Sequence, residues 1–341
     1  MFGNNSRRSR CGAGARMTAA AAALFTAGTL FTAGAAAASP AAQPQPPAGM
    51  TFEAGKPGLI AADRLHVVKE TGELNGDEPV MMTVRLESVL GKPGATKVSL
   101  VNSSPGEIAS GVDEGKTVGI QDAYGDTWFG TAPLTSDAII DAIASGEPLP
   151  IPVVVTATVM LEGDMSGGAR IGAMGQTVAD HLQRTLGKEL ADTKVVVGPD
   201  GKVSGLADAM QRIQTAATPN ADVVGKLVVH KIVDWAASVG DPDDPVGLSL
   251  TALVPVDSSV TDLLGGPGAL GLDSQYMKVT KHELRTKPFD ANIEVRTGLL
   301  VPPSALGGKE QQWWTTYAGD YMMDDPVEYR VWNHAWPQIN W

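Results

Sequence analysis

Cysteine is almost missing from this chain. Its single copy, Cys11, falls within the first forty positions, and no thiol follows it. That excludes disulfides, cysteine nucleophiles, iron–sulfur clusters and thiolate zinc sites in one step. Long apolar runs are equally scarce. Beyond "MTAAAAALFTAGTLFTAGAAAA" (17–38), nothing approaches the ~20 residues of a membrane-crossing helix. Basic residues are few, 26 against 38 acids, and the net charge is −12. A surface of that sign repels phosphate backbones, so nucleic acid is not an expected partner. The familiar catalytic signatures are lacking too. "GDMSGG" sets Gly163 one residue too far from Ser166 for a nucleophile elbow, and His282-Glu283 has no second histidine at the next turn. The five histidines are scattered, and neither a P-loop nor a dinucleotide fingerprint occurs. No catalytic residue is assigned, and the balance leans away from an enzyme.

What is present begins with the leader. Arg7, Arg8, Arg10 and Arg16 precede the alanine-rich run, no acid occurs before Glu53, and Ala36-x-Ala38 stands before Ser39. Basic start, apolar run and small-residue exit read as an export signal over residues 1–38. Removing its four arginines from the 26 basic residues leaves 22 against 38 acids, a net of −16. The product is expected to be secreted, either free outside the cell or held loosely at its wall. Residues 39–57 are rich in proline and alanine and read as a flexible lead-in. Residues 58–341 then form a single domain, which without disulfides must draw its stability from core size, bound metal or both.

Hydropathy along that domain changes period twice. "DRLHVVKE" (63–70), "PVMMTVRLES" (79–88) and "TKVSLV" (96–101) read as strands, with "TVGI" and "TWFG" as shorter ones. "IPVVVTATVMLEGD" (151–164) carries the strongest strand signal. Between 169 and 190 the apolar residues Ile171, Met174, Val178, Leu182, Leu186 and Leu190 step by three or four, one face of a helix. A hairpin around Pro199-Asp200-Gly201 is expected next. Two further helices follow at 206–215 and 222–238, the second with Asn220 as its N-cap. Strands then return in "VGLSLTALVPV", "QYMKVTKHELR", "ANIEVRTGLL" and "VEYRVW". The expected fold is α+β but mainly β: an antiparallel β-sandwich-like body with a helical insertion at about 165–240.

Two features point to chemistry. The first is a phrase of two acids, proline and valine, written three times: "DEPV" at Asp77, "DDPV" at Asp243 and "DDPV" at Asp324. Proline is tolerated at the first position of a strand, so each copy marks a strand start. Calcium takes six to eight oxygen ligands from loops, and Glu70, Glu73, Asp77 and Glu78, with Asp241, Asp243 and Asp244, are the candidate Ca²⁺ ligands. An EF-hand does not fit, because the glycine and the bidentate glutamate are misplaced. The second feature is aromatic. Trp313, Trp314, Trp332, Trp336 and Trp341 are five of the seven tryptophans. Trp313 and Trp314 are the candidate platform for a sugar ring, and cell-wall polysaccharide is the corresponding partner. The expectation is therefore a secreted acidic binding or structural protein. The other classes left open are a carboxylate-dependent hydrolase acting on polysaccharide and an envelope-binding module using the terminal aromatics.

Overall fold

The computed structural model describes Phe52 and residues 57–71, 76–101, 107–163, 168–196, 204–239, 244–263, 277–286, 289–321 and 325–339. The leader, most of the lead-in, Glu73, Asp241, Asp243 and Trp341 lie outside these residues, so the expectations placed on them do too.

Eleven strands form one sheet: β1 (Gly58–Lys69), β2 (Pro79–Val89), β3 (Lys97–Leu100), β4 (Thr117–Gly119), β5 (Asp126–Phe129), β6 (Pro152–Glu162), β7 (Asp244–Pro255), β8 (Met277–Thr286), β9 (Phe289–Leu300), β10 (Gln311–Tyr321) and β11 (Asp325–Trp336). The helices are α1 (Asp122–Gly125), α2 (Ser136–Ser145), α3 (Gly168–Arg184), α4 (Leu186–Asp192), α5 (Ser204–Val239) and α6 (Ser258–Leu263). The strand order is β3-β2-β6-β7-β9-β10-β11-β1-β4, with β5 on β1 and β8 on β9. The β-rich body and the presence of helices between β6 and β7 are as the periodicity implies, but the one helix expected over 169–190 is broken at Thr185 into α3 and α4. The sandwich is corrected: one sheet curls until its two halves face each other, instead of two sheets stacking. It is also mixed, because β7 and β9 run parallel over Gly247–Pro255 and Asn292–Leu300.

The curl needs close backbone approach where β10 crosses β7. A side-chain carbon added at Gly247 would meet the Tyr317 Cα at 3.1 Å, and one at Gly319 would meet the Pro245 carbonyl at 2.8 Å. Only glycine fits at such a crossing.

Burial explains the strand patterns. All eleven residues of β6 are buried, so it shows no polar alternation. Its odd positions, Val153, Val155, Ala157, Val159 and Leu161, pack beneath the helices. Its even positions point into the space between the halves, where Val154 and Met160 join separate inner clusters. On α5, Ile213, Ala217, Ala221, Val224, Val228 and Ile232 form a continuous buried stripe. That stripe runs straight past Pro219, so the two expected helices are one of 36 residues. Asn220 is not a cap. Its amide donates to the Ala216 carbonyl and to Glu189 on α4, both at 2.6 Å. The expected hairpin is absent where it can be seen: Thr193–Val196 is not strand, and 197–203 lies outside the described residues.

The repeated phrase now has a place. Pro79 pairs with Glu162, and Glu162 with Asp244, across β2, β6 and β7. Asp320 pairs with both Asp290 and Pro326, beside the crossing at Pro245. All three strand starts therefore lie along one rim of the curled sheet.

Candidate functional site on the uncovered half of the sheet

Helices α3, α4 and α5 cover the outer face of β2, β6, β7 and β9. Among the described residues no helix covers the outer face of β10, β11 and β1, and the aromatic residues collect there. Successive residues of a strand point to opposite faces, which divides the expected platform. Trp313 turns inward, is 7% exposed, and lies under the Arg296 guanidinium at 5.6 Å. Trp314 turns outward and is 43% exposed. Its ring partner is Trp332 on β11, at 4.9 Å and tilted by 58°. Trp332 pairs in register with Arg64 on β1, whose guanidinium sits 5.7 Å from the ring centre. Trp314, Trp332 and Arg64 thus form one row across three strands.

The adjoining row runs Gln312, His334, Ala61, Asp126 across β10, β11, β1 and β5. Ala61 leaves this part of the face low. His334 lies against the Trp336 ring at 4.5 Å and between two carboxylates, Glu310 at 3.2 Å from Nδ1 and Asp63 at 3.4 Å from Nε2. Both ring nitrogens can donate only when the imidazole is protonated. Burial pushes the Asp126 carboxyl up to about 7; Asp122 and Asp63 add to this, and the Trp128 side chain opposes it through a hydrogen bond. A carboxyl that still holds its proton near neutrality, beside further carboxyl groups, is the arrangement used for acid catalysis. The next row, Trp336, Leu59, Trp128, is packed under Phe52 and Ile339.

The acids singled out in the sequence are arranged differently. Asp77 is fully buried. Its Oδ1 accepts the Thr71 backbone N–H at 3.0 Å and hydroxyl at 2.8 Å, and its Oδ2 accepts the Tyr329 hydroxyl at 2.7 Å. Glu70 accepts the Glu114 backbone N–H. The Glu78 N–H donates to Glu162 Oε1, in the rim row that also holds the Asp244 backbone. Among the described residues, no three histidine or acidic side chains are grouped to hold a metal ion.

Two internal features carry no signal in the sequence. The edge of β10 that faces away from β11 is held by side chains from β9. Asn292 accepts the Ala318 N–H at 2.9 Å and donates to the Thr316 carbonyl at 2.8 Å, while Arg296 donates to the Trp314 carbonyl at 2.9 Å and to Glu294 at 2.7 Å. Burial lowers the Arg296 pKa against the pull of Glu294. Beside this seam lies a belt of inward hydroxyls. Thr83 bonds Thr158, Ser249 bonds Tyr317, and Asn333 donates to Thr315. They surround a void of about 20 Å³, room for a single water. Burial drives the Tyr317 phenol up, so it stays neutral.

No protein-family model, curated protein or solved structure matches the chain.

Proposed function

We propose that this is an exported binding protein that holds cell-envelope polysaccharide on the outer face of β1, β10 and β11. The observation that supports this reading is the Trp314–Trp332–Arg64 row beside Gln312, His334 and Asp63. Indole faces suit the C–H faces of pyranose rings, and planar polar groups alongside suit their hydroxyls. Ca²⁺ binding near the start of β2 and β7 is a separate proposal, since among the described residues no three acidic side chains are grouped to hold the ion. Co-sedimentation with insoluble wall polysaccharide tests the sugar reading. Trp314→Ala and Trp332→Ala should each lower retention about tenfold, the equivalent of ~1.4 kcal/mol, with an unchanged melting midpoint. Equal retention of both variants and the parent would refute it.

A second reading, hydrolysis of the held glycan, draws on Asp126 as the protonated carboxyl. It predicts release of reducing ends that Asp126→Asn abolishes while retention persists. Release that survives the substitution removes Asp126 from that role.

A further inference from the structure

At the far end of the curled sheet from the acidic rim, a cleft of about 900 Å³ opens between the end of β2, the β2–β3 turn, the segment after β5 and the approach to β6. Its size lies in the range of small-molecule sites. Its charge runs against that of the molecule. Arg85, Lys92 and Lys97 line it, and Glu87 is the one acid among its lining residues, in a chain whose net charge is −12. Glu87 is heavily committed. It accepts the Gly130 N–H at 2.9 Å and the Thr131 hydroxyl at 2.6 Å through one oxygen, and its other oxygen faces Arg85 Nε at 3.3 Å. Arg85 also donates to the Trp128 carbonyl, which ties β2 to β5 and fixes the guanidinium at the cleft wall. Phe52, Leu134 and the prolines Pro93, Pro133, Pro150 and Pro152 give the cleft an apolar, stiff part of its wall, beside Ser88 and Gly94. Proline walls have little conformational freedom to lose when a ligand binds.

We infer that this cleft is a binding site for an amphiphilic organic anion, its charged head met by Arg85, Lys92 and Lys97 and its apolar body laid against the proline walls. A cleft whose positive charge is focused between low-dielectric walls attracts such a ligand even when the protein as a whole repels anions. The site is distinct from the Trp314–Trp332–Arg64 row, although Phe52 both lines the cleft and packs over the Trp336–Leu59–Trp128 row.

The probes are decanoate, decanol and decylamine, which share a chain and differ in head charge, titrated calorimetrically below their aggregation limits. Decanoate should bind at least tenfold more tightly than either control. The double variant Lys92→Glu/Lys97→Glu changes two exposed side chains; it should lose at least tenfold in decanoate affinity and leave decanol unaffected. Ala132→Trp, at the cleft edge, should block all three probes, while Trp314→Ala should change none. Equal binding of the three probes, no decanoate binding up to millimolar concentration, or decanoate affinity that survives the charge reversal would each overturn the proposal.

Discussion

A single residue shows how an acid can be conspicuous in sequence and quiet in structure. Asp77 opens the repeated phrase, yet its carboxylate is consumed inside the fold by Thr71 and Tyr329. Nothing local announces this, because Tyr329 is 252 residues away. Asp126 is the reverse case: it belongs to no motif, yet burial raises its carboxyl well above the usual carboxylate range. Its value of about 7 in the folded state lies above the ordinary 3.8, so the folded protein holds this proton more tightly than the unfolded chain. Its contribution to stability is complete below about pH 4 and is lost as pH rises through 7. Asp126→Asn should therefore remove part of the fall in melting temperature between pH 4 and 7 and melt above the parent at pH 8. Parallel pH–melting curves for the two proteins would contradict this.

Among the elements, those with one covered face or a clear period were legible. The length and apolarity of β6 and the steps along α3 came through because helices on one side and an inner core on the other dictate those patterns. Helix α2 does not stand out in the sequence, although Thr135 caps its start and Gly146 ends it in a left-handed turn. Its ten residues are too few for periodicity to stand out. Strand β9 misleads for a deeper reason. Asn292, Glu294 and Arg296 alternate with Ile293 and Val295, the pattern of a strand with one wet face. Here the polar face is dry, and its side chains bond the β10 backbone over Trp314–Ala318, before the β9–β10 ladder begins at Gly319. The same two-residue period turns Trp313 inward and Trp314 outward. The seam gives a stability prediction. Arg296→Met takes from the buried Glu294 its partner at 2.7 Å, leaving Lys281 at 3.7 Å and the Thr316 N–H at 3.5 Å, and should cost about 3 kcal/mol in denaturant unfolding. Adding Glu294→Gln removes the stranded charge and should restore a good part of that loss. A double variant no more stable than the single one would show that the pair does not act as a unit.

Across the whole molecule, the curled sheet separates two chemistries that composition averages together. One rim gathers the starts of β2, β7 and β11, and the opposite end carries the cationic cleft. Sequence suggested that the three phrases mark strand starts. Their convergence depends on strand order, which no single segment encodes. If the rim holds Ca²⁺, millimolar Ca²⁺ should raise the melting midpoint and excess chelator should lower it; identical midpoints would rule the ion out. Another consequence concerns force. Leu59 is paired with Trp336, Lys69 with Glu328, and the Ile339 N–H closes onto the Pro57 carbonyl at 2.8 Å. The two ends of the described fold thus leave side by side from the same end of one antiparallel pair. Tension between them falls first on the outermost bonds and then on each next pair in turn, so the strands peel apart rather than shear. The domain is mechanically soft along the line joining its ends, and a pull applied there opens the face that carries Trp332 and His334 before it disturbs the helix-covered half.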